Sequence, residues 1–340
     1  MNLIYCCVFY NKDYIKLLEL LLTSMSLYSS RESFEFLVLT SPDFKEGINE
    51  ISEKLGLKIN LMFINLSTIF EAACARLRIF DYSEIHKYNN ILYLDTDIII
   101  KGDLTPIFSL NIENKLYGLG HGEISSLNFG KQFFNVTNTD FNTSGINSGT
   151  LLFKNCLSIR DLFSRMRGHI NAFTDSGQAI PYTMDQPFIN YHAINDNLYD
   201  NKTLIPFVSL YEKEDEVQNY PTSVICHFSF PIGNFAHKYY RMKMFLINLL
   251  NDNSTSILSP KDVILIGKSY TWGSGVVKFD SLGKLITPWA IGEYYFKDSH
   301  TVSANWSGCY HILRFNTNYD NFISIRTLPT DCIIGSHNLC

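Results

Sequence analysis

An α/β domain on a mostly parallel sheet with helices on both faces, followed by a small antiparallel β domain, is the fold class this sequence predicts. Three observations carry that prediction. The first stretch, to about residue 100, alternates short apolar runs with segments of helical spacing. Beyond about residue 260 the chain breaks into brief β-like runs separated by turn residues. Between them, Asn251-Asp252-Asn253-Ser254-Thr255-Ser256 is polar, small and aperiodic. It reads as a linker dividing a domain of residues 1–254 from a small β-barrel or β-sandwich module of residues 255–340.

The elements follow in order. Residues 2–9 read as a buried strand, with Leu3–Phe9 an unbroken apolar run. Residues 13–28 place Tyr14, Leu18, Leu21 and Met25 on one helical face, with Lys16, Glu19 and Thr23 outside. Phe36–Thr40 is a second strand, closed by Ser41-Pro42-Asp43, a good helix entry. A helix to about Leu55, a strand at Ile59–Ile64, a helix near 74–86 and a strand ending at Asp95 complete a βαβαβαβ rhythm. Leu116–Gly120 and Ile146–Phe153 read as further core strands, and 157–170 and 237–250 as helices. In the C-terminal module the expected strands are Val263–Ile266, Gly275–Phe279, Lys284–Pro288, Gly292–Phe296, Thr301–Asn305, Tyr310–Phe315 and Phe322–Arg326. Its Trp272, Trp289, Tyr294, Tyr295, Trp306 and Tyr310 suit a small core more than sugar-binding platforms.

Composition narrows the class. Apolar residues make up 46% of the 340 residues, enough for a sizeable core. A net charge of −5 without a Lys/Arg block argues against a nucleic-acid partner. Glu212-Lys213-Glu214-Asp215-Glu216 reads as a solvated loop. The eight cysteines form no Cys-x-x-Cys and are scattered, which suits reduced thiols in a cytoplasmic compartment. Met1 leads straight into a strand-like run without a basic leader, and no apolar stretch nears the ~20 residues of a membrane span.

The chemistry concentrates in Asp95-Thr96-Asp97, which ends one apolar run, Ile91–Leu94, and opens another, Ile98–Ile100. In an extended chain the two carboxylates would share a side while Thr96 faced away. Like charges held so close repel unless a cation sits between them, and hard oxygens suit Mn²⁺ or Mg²⁺, the usual companions of phosphates. Solvated turn carboxylates are the plainer alternative. His227, after the apolar pair Val224-Ile225, would complete a Mn²⁺ shell, although a hydrogen-bonded core histidine is the commoner fate.

Six segments, in order, resemble glycosyltransferase family 8, which includes glycogenin and bacterial lipopolysaccharide α-galactosyltransferases and glucosyltransferases. They are Asn11-Lys12-Asp13-Tyr14, Ala75-Arg76-Leu77-Arg78-Ile79-Phe80, the run through Asp97, Gly102-Asp103-Leu104-Thr105-Pro106-Ile107-Phe108, Ile146–Phe153 with Asn147-Ser148-Gly149, and Asp185-Gln186-Pro187. The resemblance covers about residues 1–250. It implies a GT-A fold and retaining transfer of glucose or galactose from a UDP-sugar to a glycan or other hydroxyl acceptor, with Mn²⁺. It assigns Asp95, Asp97 and His227 to the metal and Val8, Asn11 and Tyr14 to the uridine. Arg76, Asn147, Asp185 and Gln186 would surround the donor sugar, with Gln186, Asp185 and Arg76 as the catalytic set. Thr96 and Ser148 join the donor contacts.

One departure from the family pattern falls after His227. The family's glycine three residues on and lysine six residues on are here Phe230 and Gly233. Gly233-Asn234 backbone N–H groups, with Lys238 as the cation, are the expected substitutes at the diphosphate. Each assignment has a plainer reading: Arg76 as a surface helix charge, Asn147-Ser148-Gly149 as a polar bend, Asp185 as a helix N-cap, Tyr14 as core.

Three further classes compete. A self-glucosylating initiator needs an acceptor tyrosine on a mobile segment, and the chain has 20 tyrosines. A non-catalytic carbohydrate-binding protein would show no Mn²⁺-dependent turnover. A metal phosphohydrolase would need a fuller ligand set than one Asp-x-Asp and one His. A homodimer is compatible with the sequence.

Overall fold

The computed structural model describes residues 1–30, 32–135, 137, 139–211, 223–229, 238–239, 241–243, 245–246, 249, 265, 267–273, 275–281, 284–296, 300–306, 309–316, 319–326 and 332–337. They divide into two compact units, Met1–Ser52 with Leu57–Met242, and Lys243–Cys340 with Glu53–Gly56.

The first unit opens with β1 (Asn2–Val8), α1 (Tyr14–Tyr28), β2 (Glu35–Thr40), α2 (Lys45–Leu55) and β3 (Ile59–Phe63). β1 is buried on both faces because strands pair on either edge of it and helices cover its faces, as its unbroken apolar run requires. In α1, Thr23 is buried and Tyr14 is 41% exposed, the reverse of the expected faces. The helix packs against more than one neighbour, so its apolar stripe is wider than one seam.

α3 (Ile69–Cys74) starts at a capping box: Thr68 Oγ1 accepts from the Glu71 N–H, and Glu71 Oε2 accepts from the Thr68 N–H. The single helix expected near 74–86 is instead two 3₁₀ segments, Ala75–Asp81 and Ile85–Lys87. Three residues per turn stack Arg76 and Ile79 on one inward face.

β4 (Asn90–Leu94) then lies beside β1, and β5 (Ile98–Ile100) leaves the main sheet. After α4 (Thr105–Phe108) come β6 (Leu116–Glu123), β7 (Ser144–Lys154), α5 (Leu157–Asp175), α6 (Gln186–Asn195) and β8 (Tyr199–Asp200). The seven-stranded order is β3-β2-β1-β4-β7-β6-β8. The first four strands are mutually parallel, while β7 runs antiparallel to β4 and β6. β9 (Val208–Leu210) and β10 (Ile225–His227) join β5 in a separate three-stranded sheet. No helix of the described residues is long and apolar enough to cross a membrane.

The second unit contains a closed antiparallel barrel of β11 (Ser269–Trp272), β12 (Gly275–Ser281), β13 (Lys284–Ile286), β14 (Ile291–Phe296), β15 (Thr301–Trp306), β16 (Cys309–Phe315), β17 (Asn321–Arg326) and β18 (Cys332–His337). Six of the expected strands are present within a residue or two of their expected ends. The expected strand at Val263–Ile266 lies mostly outside the described residues, and Leu265 is helical. Trp272, Tyr294 and Trp306 fill the barrel core, whereas Trp289 and Tyr310 are exposed. The linker 251–256 and the acidic run 212–216 lie outside the described residues, as do parts of the helix expected over 237–250.

Candidate active site

β1 has β2 on one side and β4 on the other, so the chain order reverses between β1 and β4. Open α/β sheets bind ligands in the crevice beyond the carboxyl ends of strands at such a point. Two segments leave the sheet there. After Val8, which is buried, come Tyr10, Asn11 and the start of α1 at Tyr14. After Leu94 comes Asp95-Thr96-Asp97.

This tripeptide is a turn rather than a strand. The carboxylates therefore converge because the chain bends from one sheet into the other, not because side chains alternate along it. The bend aims Asp95 and Asp97 at β10, where His227 pairs in register with Ile98. His227 Nε2 stands 3.2 Å from Asp97 Oδ1 and 3.9 Å from Asp95 Oδ2. Thr96, between them in sequence, is buried.

Gly149 makes this convergence sterically feasible. β7 brings it against β4, where the Asp95 N–H donates to the Gly149 carbonyl at 2.8 Å. A Cβ at this position would lie 2.1 Å from His227 Cε1 and 2.8 Å from Asp95 Oδ2. Asn147 Oδ1 accepts from the Gly149 N–H at 2.9 Å, so Asn147-Ser148-Gly149 is a braced segment rather than a loose bend.

Arg76 is buried, not a surface charge. Its Nη1 donates to the Ser148 carbonyl at 2.6 Å and lies 3.3 Å from Asp95 Oδ1. Its Nε lies 2.9 Å from Asp185 Oδ2, off the N–H axis, and makes its hydrogen bond to the Ala73 carbonyl. Burial would lower the guanidinium's proton affinity, but Asp185 and Asp95 outweigh it and keep the group charged. Asp185 stands at the N-terminal end of α6 without capping it, its side chain being committed to Arg76. Burial raises its carboxyl to about 6, with Arg76 opposing and Asp95 adding to the rise.

Gln186 is buried beside it with both ends of its amide used. Oε1 accepts from the Ser148 N–H at 3.1 Å, and Nε2 donates to the Asn128 carbonyl at 3.0 Å. Lys238 Nζ lies 2.5 Å from Asp97 Oδ2. Burial pushes the Asp97 carboxyl up, but Lys238 and His227 overcome it and hold the group well below the usual carboxylate range. Tyr14 is near enough to Asp97, Lys238 and Asp95 for their charges to act on its phenol, beside the larger effect of burial.

The fold thus gathers Val8, Asn11, Tyr14, Arg76, Asp95, Asp97, Asn147, Ser148, Asp185, Gln186, His227 and Lys238 around one strand end. Gly233 lies outside the described residues. Three contributors escaped the sequence reading. The Tyr93 hydroxyl donates to Asp95 Oδ1, and the Arg76 guanidinium sits over the Tyr93 ring at 4.6 Å, so this core tyrosine fixes two site groups. Tyr10 and Met184 have φ of 66° and 54°, uncommon for residues with a side chain, and directly precede Asn11 and Asp185. Only Tyr93 left a trace in the sequence, as a polar atom in an apolar strand.

The residues fit a divalent cation. Asp95, Asp97 and His227 each offer a ligand atom within 4.8 Å of the others. Asp97 Oδ1 is buried and makes no hydrogen bond, an expensive state for a carboxylate unless a cation completes it. The set of two hard oxygens and one imidazole suits Mn²⁺, with Mg²⁺ favoured less by the imidazole.

The family model for Glycosyl transferase family 8 matches residues 6–235. No curated protein matches the chain. Among solved structures, the apo WbbM bifunctional glycosyltransferase is similar at 12% identity and a TM-score of 0.50, over 70% of this chain and 49% of that one. The chain therefore spans about half the length of WbbM. The galactosyltransferase LgtC, in complex with donor and acceptor sugar analogs, is similar at 14% identity and a TM-score of 0.47, over 72% of this chain and 96% of that one. Mouse xyloside xylosyltransferase 1 is similar at 13% identity and a TM-score of 0.47, over 69% of this chain and 100% of that one.

Proposed function

Because the chain belongs to glycosyl transferase family 8, we propose that it transfers a hexose, glucose or galactose, from a UDP-sugar to a glycan or glycoconjugate hydroxyl, with Mn²⁺ and retained configuration. Its fold is of the GT-A type. The observation that carries the reading is the convergence of Asp95, Asp97 and His227 at the switch point of the sheet, with one carboxylate oxygen buried and making no hydrogen bond.

The chemistry follows from what leaves. When bound, Mn²⁺ would supply positive charge to the departing diphosphate, which needs a cation rather than a strong general acid. Asp95, Asp97 and His227 would hold it, and Lys238 stands beside them for the remaining phosphate charge. Val8, Asn11 and Tyr14 flank the β1 exit, where the uridine would lie. Thr96, Asn147 and Ser148 line the turn between nucleotide and sugar.

Gln186 is a poor nucleophile, and its Oε1 is already spent on the Ser148 N–H. The arrangement favours attack from the leaving-group face, with the Gln186 amide dipole beside an oxocarbenium-like centre. Asp185, almost wholly buried behind Arg76, acts in this reading through the guanidinium it orients. A covalent sugar trapped on Asp185 would contradict that role.

The testing experiment is a donor screen by nucleotide release. UDP-glucose or UDP-galactose should release UDP only when Mn²⁺ is added. Asp97→Asn should cut the rate by roughly 10²-fold or more, the order expected when a group stabilising leaving-group charge is removed. Turnover that survives chelation, or a strict preference for GDP-sugars, would refute the assignment. Tyr93→Phe is a milder probe: with one support of Asp95 removed, Mn²⁺ affinity should fall about tenfold in a titration.

A further inference from the structure

Lys238 is the unusual member of this cluster. A metal-binding carboxylate normally keeps its oxygens for the metal or for neutral donors, yet Asp97 Oδ2 is held by an ammonium at 2.5 Å. The lysine side chain is 17% exposed and the aspartate 14%, so water screens the pair weakly. On the other side of the cluster the Arg76 guanidinium faces Asp95. Each aspartate of the pair thus already has a positive partner before any metal arrives. These two cations offset the repulsion between the neighbouring carboxylates.

A divalent cation entering between Asp95, Asp97 and His227 meets both partners. Arg76 is fixed by the Ser148 and Ala73 carbonyls and by Asp185, and cannot withdraw. Lys238 has a flexible four-carbon stem and only Asp97 as an ion-pair partner among the described residues. Its ammonium opposes a cation on Asp97 until an anion offers it another place. A diphosphate is such an anion.

We propose that Lys238 is an internal counter-ion that occupies Asp97 in the donor-free protein and is handed to the diphosphate when the donor binds, so that metal and nucleotide bind as a coupled pair. This rests on the metal–diphosphate reading of the site given above. Metal alone binds weakly because the ammonium on Oδ2 of the same carboxylate repels a cation at the open Oδ1. With nucleotide present, the displaced ammonium is repaid by a phosphate contact, and both ligands tighten. The role differs from a plain phosphate contact in sign: removing the lysine should improve metal binding when no nucleotide is present.

The test follows the free Mn²⁺ electron paramagnetic resonance signal during titration of the full chain, with and without saturating UDP. Without UDP, Lys238→Met should bind Mn²⁺ about tenfold more tightly than the unmodified protein, the effect of lifting one nearby like charge. The factor by which UDP tightens Mn²⁺ should be at least about tenfold smaller in Lys238→Met. Lys238→Arg keeps the charge and should match the unmodified protein in both measurements. Circular dichroism confirms that each variant is folded.

Mn²⁺ binding by Lys238→Met that is equal to or weaker than that of the unmodified protein, with both proteins binding the ion, would overturn the counter-ion role and leave the metal site standing. Failure of every protein to bind Mn²⁺, even with UDP, would overturn the metal site and this proposal together.

Discussion

Replacing Arg76 by Met should destabilise the protein by about 3–5 kcal/mol at pH 7, the cost of leaving buried charges without their partner. Asp185 is 1% exposed and Arg76 is its ion-pair partner, while Asp95 loses one of its supports at the same time. Methionine keeps much of the packing volume, so the loss is mainly electrostatic. The pH dependence separates this from a packing defect. A carboxyl raised to about 6 in the fold contributes stability below its unfolded value near 4 and loses it as pH rises through 6. Without Arg76, which opposes that rise, the carboxyl moves further up. The buried group then takes a proton more readily, and the deficit of Arg76→Met should shrink between pH 7 and pH 5. Urea unfolding at the two pH values measures it. An equal deficit at both would assign the loss to packing.

Gly149→Ala should abolish metal binding and reduce turnover by roughly 10³-fold or more, the scale of losing the charge stabilisation of the leaving group. The added methyl would sit 2.1 Å from His227 Cε1 and 2.8 Å from Asp95 Oδ2, and both are pinned from behind. His227 is part of β10, and Asp95 is held by Tyr93, Arg76 and the Gly149 carbonyl. Neither can retreat without breaking a strand pair or an ion pair. Mn²⁺ titration and a rate assay with the best donor test this. A variant that binds Mn²⁺ as before would show that the glycine is incidental to the site.

The site was legible where chemistry demands a residue type. Two carboxylates flanked by apolar runs, an Asp-Gln after a loop and an Asn-Ser-Gly within a strand are sequence signals because nothing in core packing calls for them. Their convergence was not legible. It depends on the turn at Thr96 passing the chain from one sheet to another and on the register of His227 with Ile98, a long-range pairing. Gly149 read as part of a polar bend because its reason for lacking a side chain lies on β10 and on the turn after β4.

The fold shows the same division. β1 to β4 alternated with helices plainly, because each strand is an apolar run bounded by turn residues. The 74–86 segment, broken into 3₁₀ turns, carries an inward Arg76 whose partner Asp185 lies more than 100 positions away, beyond the reach of any local pattern. In the barrel, six strands showed alternation or aromatic content. Ser269–Trp272 offers only Tyr270 and Trp272 as inward positions, too short a signal alone, and Cys332–His337 carries a glycine within it. These two pair with each other and close the barrel, so local pattern missed closure itself.

Crystals soaked with MnCl₂ and UDP, with anomalous scattering collected near the manganese edge, would test the central claim most directly. One anomalous peak should appear between the Asp95 and Asp97 carboxylates and His227 Nε2, with Lys238 drawn from Asp97 to a phosphate oxygen. A peak elsewhere, or UDP bound with Lys238 still on Asp97 and no metal beside it, would contradict the account.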